Sequence, residues 1–272
     1  MTWNLLNGGM DHGDPARLRD QITLIRAYAP DVLFLPEATM WHLDPGLLEL
    51  VEAGSGLATA MLARADGHHN GLLYNPRRLA VVGQVTLRAR KLFHHALMCA
   101  VFHPLEMSDD RADFLALATH LDPCDPGRRL SEARWMTDYA GAFPGYPPRS
   151  VLLGDLNTPD REPPSWDLVP RHLHSRYRKI NDIGVFGDVD QDATRVLRAV
   201  GWRDPHEMLG VTRPPTVGFF YDDEPVSWAI DYALLAGLTP RQVYTHPWST
   251  DFTSSDHLPR FVDVDLPTGE AR

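Results

Sequence analysis

Cysteine is scarce in this chain of 272 residues, which contains only Cys99 and Cys124. A disulfide framework needs more cysteines, and the separation of these two matches no zinc-binding spacing. We therefore predict two unpaired thiols in a reducing compartment. A small domain stabilised by disulfides and a cysteine-based zinc centre are both excluded.

Long hydrophobic runs are also absent. No window approaches the roughly 18 apolar residues that a transmembrane helix needs. The first residues, Met1-Thr-Trp-Asn, do not combine a basic segment with a long apolar one, as a secretory signal peptide would. We therefore expect no membrane span and a cytoplasmic location.

The chain has no excess of positive charge. Its formal net charge is −10 at pH 7 and its pI is near 5.7. This balance argues against a protein that holds nucleic acid mainly by electrostatic attraction. A local basic groove could still exist, because one cluster collects several basic side chains; it consists of Arg171, His172, His174, Arg176, Arg178 and Lys179.

No linker-like or low-complexity segment divides the chain. Apolar runs recur from Leu33 to Val264, and 43% of the residues are hydrophobic, which is enough for a substantial core. We expect a single domain over residues 1–272. An irregular insertion is predicted at about 159–192, and a loop of that length in a compact domain is commonly a functional lid or poorly ordered.

Asp155 and Asn157 stand at the end of a short apolar segment that begins at Ser150 and could form a buried strand. Side chains alternate along a strand, so these two point to the same side and place a carboxylate beside an amide. Pro159 ends the segment, because proline cannot donate to a sheet. An Asx-type turn would use the same residues, and both interpretations stay open.

Three more apolar segments place a polar side chain in or at the end of a predicted strand. Asn4 lies in the opening strand at 2–6, Glu37 ends the strand 31–37, and His120 ends the strand 114–120. Taken singly, Asn4 and Glu37 would also fit exposed positions. Their recurrence at strand ends favours a common site.

The C-terminal part of the chain contributes a carboxylate and a histidine. Asp231 lies in the middle of a predicted buried strand, 226–235, and an unpaired buried carboxylate costs several kcal/mol. It must therefore have a donor close by. Asp256 and His257 stand side by side before a closing strand at 260–266, and a buried carboxylate that holds a histidine fixes its tautomer and raises its basicity.

The remaining periodicity predicts helices and strands around these segments. Helices are expected at 15–28, 46–53, 130–139 and 192–200, with Asp14 as the first N-cap and Gly201 as the last C-cap. Strands are expected at 58–63, 71–74, 79–85 and 96–102, with a turn at 66–70. Adjacent histidines in a strand face opposite ways, so we expect structural or exposed roles for most of His68, His69, His94 and His95.

The collected donors suit one kind of chemistry. Carboxylate and amide oxygens without thiolates favour a hard cation such as Mg²⁺ or Mn²⁺ over zinc. A histidine beside such a cation can deprotonate a water that attacks phosphorus. The chain therefore indicates a phosphoester hydrolase.

Six motifs, in this order along residues 2–266, resemble the endonuclease/exonuclease/phosphatase family. They are Thr2-Trp-Asn-Leu, Leu35-Pro-Glu, Thr119-His-Leu, Gly154-Asp-Leu-Asn, Ile230-Asp-Tyr-Ala-Leu and Ser255-Asp-His. The resemblance implies an α+β, DNase I-like fold: a four-layer α/β/β/α sandwich of two packed mixed β-sheets. It also implies a metal-dependent phosphoesterase.

The resemblance also implies roles for individual residues. Glu37 would be the principal metal ligand, with Asn4 and Asp256 nearby, and the ion would be Mg²⁺ or Mn²⁺. His257 would act as general base or as a charge clamp on the phosphate, paired with Asp231.

For the remaining site residues, the resemblance implies contacts with water and phosphate. Asp155 would orient the water or hold metal, and Asn157 and His120 would bind oxygens of the scissile phosphate. Whether Asp155 or His257 takes the proton stays open.

Three positions depart from the family pattern. Pro36 replaces the glutamine that usually precedes the metal-binding glutamate, so a hydrogen bond to that glutamate is missing or supplied elsewhere. Ala229 replaces a common arginine. Leu6 stands where DNA-repair members have an acidic residue, which weakens the case for a repair nuclease and for a second metal ion.

We therefore predict hydrolysis of a phosphodiester in nucleic acid or a nucleotide. The alternative is a phosphatase that acts on a small phosphomonoester or a phospholipid headgroup, which the acidic net charge also allows. A catalytically silent binding module is disfavoured by the complete set of acid, base and metal-binding groups. The expected partner is the phosphoester substrate, and nucleic acid is one candidate for it. We expect the protein to be a monomer.

Overall fold

The structure is a computed structural model of the chain, and it describes residues 1–65, 68–83, 86–88, 92–223 and 226–266. Two predicted features fall partly outside these ranges. They are residues 66–67 of the predicted turn and residues 84–85 of the predicted strand 79–85. In the described part of these features, residues 68–70 belong to a strand and not to a turn, and the strand from Leu79 ends at Val81. The side chain of His68 also lies outside the described part.

Aspartates stand at the starts of the first two helices, but two predicted caps are displaced by one residue: Pro15 and not Asp14 is the N-cap of the first helix, and Val200 and not Gly201 is the C-cap of the helix that starts at Asp192. The side chain of Asp14 accepts a hydrogen bond from the amide of Ala16 at 2.9 Å, and Asp44 caps the next helix through Gly46 at 3.0 Å. The α-helices are α1 (Ala16–Tyr28), α2 (Pro45–Ser55), α3 (Pro126–Arg134), α4 (His174–Tyr177), α5 (Asp192–Ala199) and α6 (Pro205–Leu209). Short 3₁₀ helices lie at Asn7–Gly9, Asp110–Ala112, Thr137–Tyr139, Trp166–Leu168 and Arg171–Leu173.

Helix α3 differs from the prediction of a helix at 130–139. It begins at Pro126, because Asp125 caps it through the amides of Gly127 and Arg128 and proline fits the first helical position. It ends at Arg134, and a 3₁₀ helix follows at Thr137–Tyr139.

One sheet contains β1 (Val32–Leu35), β2 (Ala58–Ala65) and β3 (His68–Tyr74), in the order β1-β3-β2, and all pairs are antiparallel. Strands β12 (Thr239–Thr245) and β13 (Arg260–Asp265) pair with each other and belong to the same sheet. Thr2 joins the two groups, because it bridges Phe34 on one side and Arg260 on the other. The N-terminal segment therefore lies between β1 and β13.

The second sheet has the order β11-β8-β7-β6-β4, and β5 also pairs with β6. Its strands are β4 (Leu79–Val81), β5 (Thr86–Arg88), β6 (Leu97–Pro104), β7 (Phe114–His120), β8 (Ser150–Asp155) and β11 (Asp231–Ala236). The pair β7–β8 is parallel, which makes the sheet mixed.

Three apolar cores lie between four layers, which are two sheets and the helices on their outer faces. Between the sheets, Phe34 and Leu72 of the first sheet meet Met98, Ala118 and Leu153 of the second. On the outer face of the first sheet, Leu33 and Leu73 pack against α1 and α2 through Leu18, Ile22 and Val51. On the outer face of the second sheet, Leu117 and Leu152 pack against α3 and α5 through Ala133 and Leu197. The predicted four-layer α/β/β/α sandwich is confirmed.

Three predicted strands differ from the structure. The segment 2–6 forms bridges only at Thr2. Strand β1 ends at Leu35, and Glu37 adopts a left-handed backbone with φ 58°. Strand β11 begins at Asp231, because the register with β8 starts there, so Asp231 is the first residue of its strand and not a central one.

The predicted irregular insertion at 159–192 contains regular elements. Beyond its 3₁₀ helices it includes α4 and a hairpin of β9 (Arg178–Ile180) and β10 (Phe186–Val189). A small apolar cluster fixes the segment to the body of the protein; its members include Val169, Leu173, Val226, Trp228 and Ile230. The prediction of irregular structure is therefore wrong for this part of the segment.

None of the helices in the described ranges combines the length and the apolar character that crossing a bilayer would require.

Candidate active site

Strand register places three of the predicted site residues in one row. His120 at the end of β7 lies opposite Asp155 of β8, and Asp155 lies opposite Asp231 of β11. Gly154 allows β8 to approach β7 closely, since a Cβ at this position would lie 2.5 Å from the carbonyl oxygen of Thr119. The row is therefore a product of backbone pairing.

Asp231 and His257 form a buried pair. Nδ1 of His257 lies 2.8 Å from Oδ2 of Asp231, and Asp231 is fully buried. The hydroxyl of Thr216 accepts the backbone amide of Asp231 at 3.3 Å, and the indole of Trp3 donates to the carbonyl oxygen of His257 at 2.9 Å. Thr216 and Trp3 thus hold the backbones of Asp231 and His257 in place.

Charge around His257 changes its proton affinity. Burial alone would lower the pKa of His257, but the negative charges of Asp231 and Asp155 and the hydrogen bond with Asp231 raise it well above 6.5. Nε2 of His257 lies 3.7 Å from Oδ2 of Asp155. Burial and the charge of Asp231 raise the pKa of Asp155 to about 7.

Asn4 connects the two sheets at this site. Its side-chain amide donates to Oε1 of Glu37 at 3.1 Å and to Oδ2 of Asp155 at 3.2 Å, and Asn4 is buried. Its side-chain oxygen Oδ1 accepts a hydrogen bond from the backbone amide of Leu6 at 3.0 Å. Asn4 therefore fixes the separation of the two carboxylates, and its oxygen keeps one further lone pair.

Glu37 is held as an ionised carboxylate that is partly open to solvent. The backbone amide of Asn7 donates to its Oε2 at 3.0 Å, and the side chain is only partly buried. Burial pushes the pKa of Glu37 upward, but the charge of His120 and the hydrogen bonds from Asn7 and Asn4 outweigh burial, so its pKa lies below the usual value. An ionised carboxylate is the form that binds a cation.

Asp256 lies beside the same opening. Its carboxylate accepts the hydroxyl of Ser255 at 3.3 Å and the hydroxyl of Tyr221 at 3.3 Å. Burial is the main cause that raises its pKa, and the nearby charge of Glu37 adds to the effect. Two carboxylates therefore repel each other here, and a bound cation would relieve that repulsion.

The segment around Asn157 contains both structures that the sequence left open, a strand and an Asx-type turn. Strand β8 ends at Asp155, and the backbone amide of Asn157 then donates to Oδ1 of Asp155 at 3.0 Å, which is an Asx-type turn. Asn157 has a left-handed backbone with φ 47°, and its side chain donates to the carbonyl oxygen of Leu121 at 3.0 Å. The side chain is therefore fixed beside Asp155.

His120 is held by another histidine. Its Nε2 lies 3.5 Å from Oδ2 of Asp155. Its ring stacks on that of His95, with centroids 4.1 Å apart and an interplanar angle of 21°. His94 meets His95 edge-on at 4.4 Å, and its Nδ1 lies 3.2 Å from Oδ2 of Asp122. A line of histidine rings thus packs against His120.

The donor set fits a hard divalent cation. In the described part of the chain, no lysine or arginine forms an ion pair with any carboxylate of the cluster, and His120 and His257 supply its cationic partners. The ligand atoms of Asp155, Asp231 and His257 also lie within 4.8 Å of one another. Asp231 and His257 already satisfy each other, however, so Glu37 and Asp256 offer the more available oxygens.

Comparison with known proteins agrees with this geometry. The endonuclease/exonuclease/phosphatase family matches residues 1–257. The chain belongs to this family. Members of the endonuclease/exonuclease/phosphatase family are phosphoester hydrolases, and this chain is an enzyme of that class. No curated protein matches the sequence as a whole.

Solved structures with the family fold resemble this one. A family member from Bacteroides vulgatus has a TM-score of 0.69 and 14% identity over 98% of this chain and 97% of that one. D. rerio TDP2, complexed with a single strand DNA product, has a TM-score of 0.68 and 17% identity, with 97% of each chain covered. A mannosyl-6-phosphatase from Bacteroides thetaiotaomicron has a TM-score of 0.60 and 14% identity over 92% and 91%. At these identities the likeness shows the fold alone.

The departures from the family pattern have local consequences. Pro36 offers only a carbonyl oxygen, which accepts the amide of Leu5 at 3.2 Å, while Asn4 and Asn7 supply the hydrogen bonds to Glu37. The bond that Pro36 cannot make is thus supplied elsewhere. The backbone amide of Ala229 donates to Asp160 at 2.9 Å.

The basic cluster is only partly available as a surface. Arg178 donates to the carbonyl oxygens of Gly187 and Phe186 and lies over the ring of Trp166 at 4.6 Å. Lys179 pairs with Asp192. Two of the six basic side chains therefore have partners within the protein.

Two contributors to the site were not predicted as site residues from the sequence. His95, expected to be structural or exposed, is buried and stacks on His120; the signal was its position just before a strand that pairs with the strand of His120. Tyr221 donates to Asp256 from a loop with no strand pattern. His69 belongs to the other pair of adjacent histidines. Its ring stacks on that of His42, with centroids 3.6 Å apart.

Proposed function

We propose that this enzyme hydrolyses a phosphodiester in a nucleotide or nucleic acid, with a divalent cation as cofactor. The observation that supports this most directly is the meeting of Asn4, Glu37, Asp155, Asp231 and His257 at one point between the sheets. Carboxylates, an amide and an imidazole in this arrangement can bind a phosphate, position a water and move a proton.

In this proposal Glu37 and Asp256 hold Mg²⁺ or Mn²⁺, and Asn4 orients Glu37. When bound, the cation supplies positive charge beside the phosphate oxygens. Because Glu37 and Asp256 are only partly buried, they face solvent, from which both ion and substrate arrive.

The remaining residues act on the water and the phosphate. Asp155 and His257 are the two groups placed to orient the attacking water and accept its proton. Asp231 holds the imidazole of His257 in one tautomer and balances its positive charge. Asn157 and His120 would contact the phosphate oxygens, where added negative charge develops during attack.

The substrate class separates the two candidate functions. Incubation with Mg²⁺ or Mn²⁺ should release p-nitrophenol from bis-p-nitrophenyl phosphate faster than from p-nitrophenyl phosphate, and should degrade single strands or plasmid DNA. Release from the monoester alone would reject the diesterase and favour the phosphatase, a function that its structural neighbour from Bacteroides thetaiotaomicron carries in its name.

The same assay tests the residues. His257→Ala should lower the rate by about 100-fold or more, since a positioned proton-transfer group contributes roughly 10²–10⁴-fold. Glu37→Ala should lower it by about as much, because it removes a ligand of the cation that supplies positive charge beside the phosphate. Asp138→Asn, which changes an exposed carboxylate on the 3₁₀ helix beyond α3, should leave the rate unchanged. Unchanged rates in both site variants would refute the proposed mechanism.

A further inference from the structure

Two loops carry exposed aromatic side chains beside the candidate active site. Residues 216–223 begin at Thr216, which supports Asp231, and residues 246–256 end at Asp256. The exposed aromatic side chains on these loops are Phe220, Tyr221 and Trp248, which are 40%, 42% and 46% exposed.

The rings connect the loops to each other. Phe219 stacks on Trp248, with centroids 5.4 Å apart and an interplanar angle of 22°. Phe220 meets Tyr221 at 5.0 Å in a T-shaped contact. We call these four residues the aromatic platform. Because each pair fixes its ring planes, the platform is a built surface and not a set of isolated exposed side chains.

The platform is continuous with the site. The hydroxyl of Tyr221 donates to Oδ2 of Asp256 at 3.3 Å, and Asp256 adjoins His257. A phosphate bound at His257 would therefore carry its substituent next to Tyr221. Exposed aromatic clusters that border a polar cleft are typical of ligand contacts.

Charge decides which ligand suits this surface. The net charge of −10 disfavours both an anionic membrane and a long polyanion held by its backbone. Two members of the basic cluster already have partners within the protein, since Arg178 donates to the carbonyl oxygen of Gly187 and Lys179 pairs with Asp192 at the start of α5. Stacking on a ring requires no positive charge, and the flat faces of nucleobases stack on Trp, Tyr and Phe regardless of sequence.

We propose that the aromatic platform stacks an unpaired nucleobase next to the scissile phosphate. This inference rests on the proposed diesterase function and narrows its substrate to nucleotides and short single strands. Base pairs in a duplex hide both faces of each base, so the platform selects against them.

A binding experiment tests the platform without requiring turnover. Calorimetry, with EDTA present to prevent hydrolysis, compares a short oligothymidylate with an abasic oligonucleotide that has the same number of phosphates. The base-containing strand should bind about tenfold more tightly, which corresponds to roughly 1.4 kcal/mol and lies within the range for one stacked base. Trp248→Ala and Phe220→Ala should each reduce this preference.

Trp135→Ala is the matched control, because Trp135 is 41% exposed at the end of α3 and is outside both loops. It should leave the preference intact. Equal binding of the two strands by the unaltered protein would overturn the proposal, and so would an equal loss in the Trp135 variant. Binding to neutral phosphatidylcholine vesicles that depends on Trp248, without any base preference, would reassign the platform to lipid.

An activity assay distinguishes failure of the platform proposal from failure of the proposed diesterase function. With Mg²⁺, the p-nitrophenyl ester of thymidine 5′-phosphate is compared with p-nitrophenyl methyl phosphate, which has the same leaving group and no base. Trp248→Ala should raise KM for the thymidine ester by about tenfold and leave the methyl ester unchanged. No turnover of either ester would refute the diesterase, while the binding experiment would still decide the platform.

Discussion

Nδ1 of His257 lies 2.8 Å from Oδ2 of Asp231, although the segments that carry them lead into different sheets. His257 stands just before β13 of the first sheet, and Asp231 is the first residue of β11 in the second. The pair therefore links the two sheets beside the hydrogen bond between Asn4 and Asp155. The position of this hydrogen bond depends on the packing of the whole sandwich.

Replacing Asp231 should separate catalysis from folding. Asp231→Asn keeps the size of the side chain but removes the charge that faces the imidazole of His257. We expect kcat to fall by about 100-fold or more, because tautomer and charge of a catalytic histidine depend on its carboxylate partner. Steady-state kinetics at saturating Mg²⁺ measure the effect, and a thermal melt checks the fold. An unaltered kcat would show that Asp231 is only structural.

Cation affinity should depend on the two partly exposed carboxylates. Glu37→Gln and Asp256→Asn each remove one charged oxygen ligand, and we expect Mn²⁺ affinity to fall by about tenfold or more in each. Calorimetric titration with Mn²⁺ measures it. Asp138→Asn serves as the control for loss of a carboxylate elsewhere. Equal affinities in all proteins would place the cation at another position.

Much of the site could be predicted because strand ends follow from local patterns. Proline, glycine and the alternation of apolar residues mark where β7 and β8 end, and these ends carry His120 and Asp155. The sequence also left a strand and an Asx-type turn open at Asn157, and the structure contains both, one directly after the other.

Other features depend on contacts that no local pattern carries. Glu37 has a left-handed backbone, and its carboxylate is held by Asn4 and Asn7, which come from a separate part of the chain. The start of β11 is determined by its pairing with β8, and not by the apolar residues that precede Asp231. The stacking of His95 requires β6 to lie beside β7. Tertiary contacts overrode local preference in each case.

The buried carboxylate of Asp204 should make stability depend on pH. It accepts hydrogen bonds from the backbone and ring of His206 at 2.9 and 3.0 Å and pairs with Arg213 at 3.1 Å. Burial raises its pKa, but the hydrogen bonds from His206 and the charge of Arg213 outweigh burial and lower the pKa to about 2.

Because this folded-state pKa lies below the unfolded value of 3.8, the ionised group stabilises the fold above about pH 4, and the contribution is lost as the pH falls towards 2. We expect Asp204→Asn to lower the free energy of unfolding at pH 7 by about 2 kcal/mol, with a smaller difference at pH 3. Urea titrations at both pH values measure this. A difference that does not change with pH would contradict the ionic explanation.

Gly154 should be intolerant of any side chain. A Cβ at this position would lie 2.5 Å from the carbonyl oxygen of Thr119, so Gly154→Ala must push β8 away from β7. We expect a loss of roughly 1–3 kcal/mol in the free energy of unfolding and a lower kcat, because the row of His120 and Asp155 is displaced. Gly141→Ala is the control, since its Cβ would meet nothing within 4 Å. Equal stability of the two variants would show that the strands can separate without cost.

The stacking of His95 on His120 should matter for its flat shape rather than for its nitrogens. His95→Phe keeps a ring that can lie against His120, whereas His95→Leu fills a similar volume without a planar face. We expect His95→Phe to keep kcat within about threefold and His95→Leu to lower it by about tenfold, because a freely rotating His120 loses its orientation towards Asp155.

A loss of stability alone could imitate this result, so a core variant is needed beside it. Leu115→Ala removes buried volume at the opposite end of β7 from His120 and should lower the melting temperature without changing kcat at 25 °C. If His95→Leu and Leu115→Ala reduce kcat equally, the effect of His95 is one of stability. If His95→Phe loses as much activity as His95→Leu, the nitrogens of His95 are needed, and stacking is not what holds His120 in place.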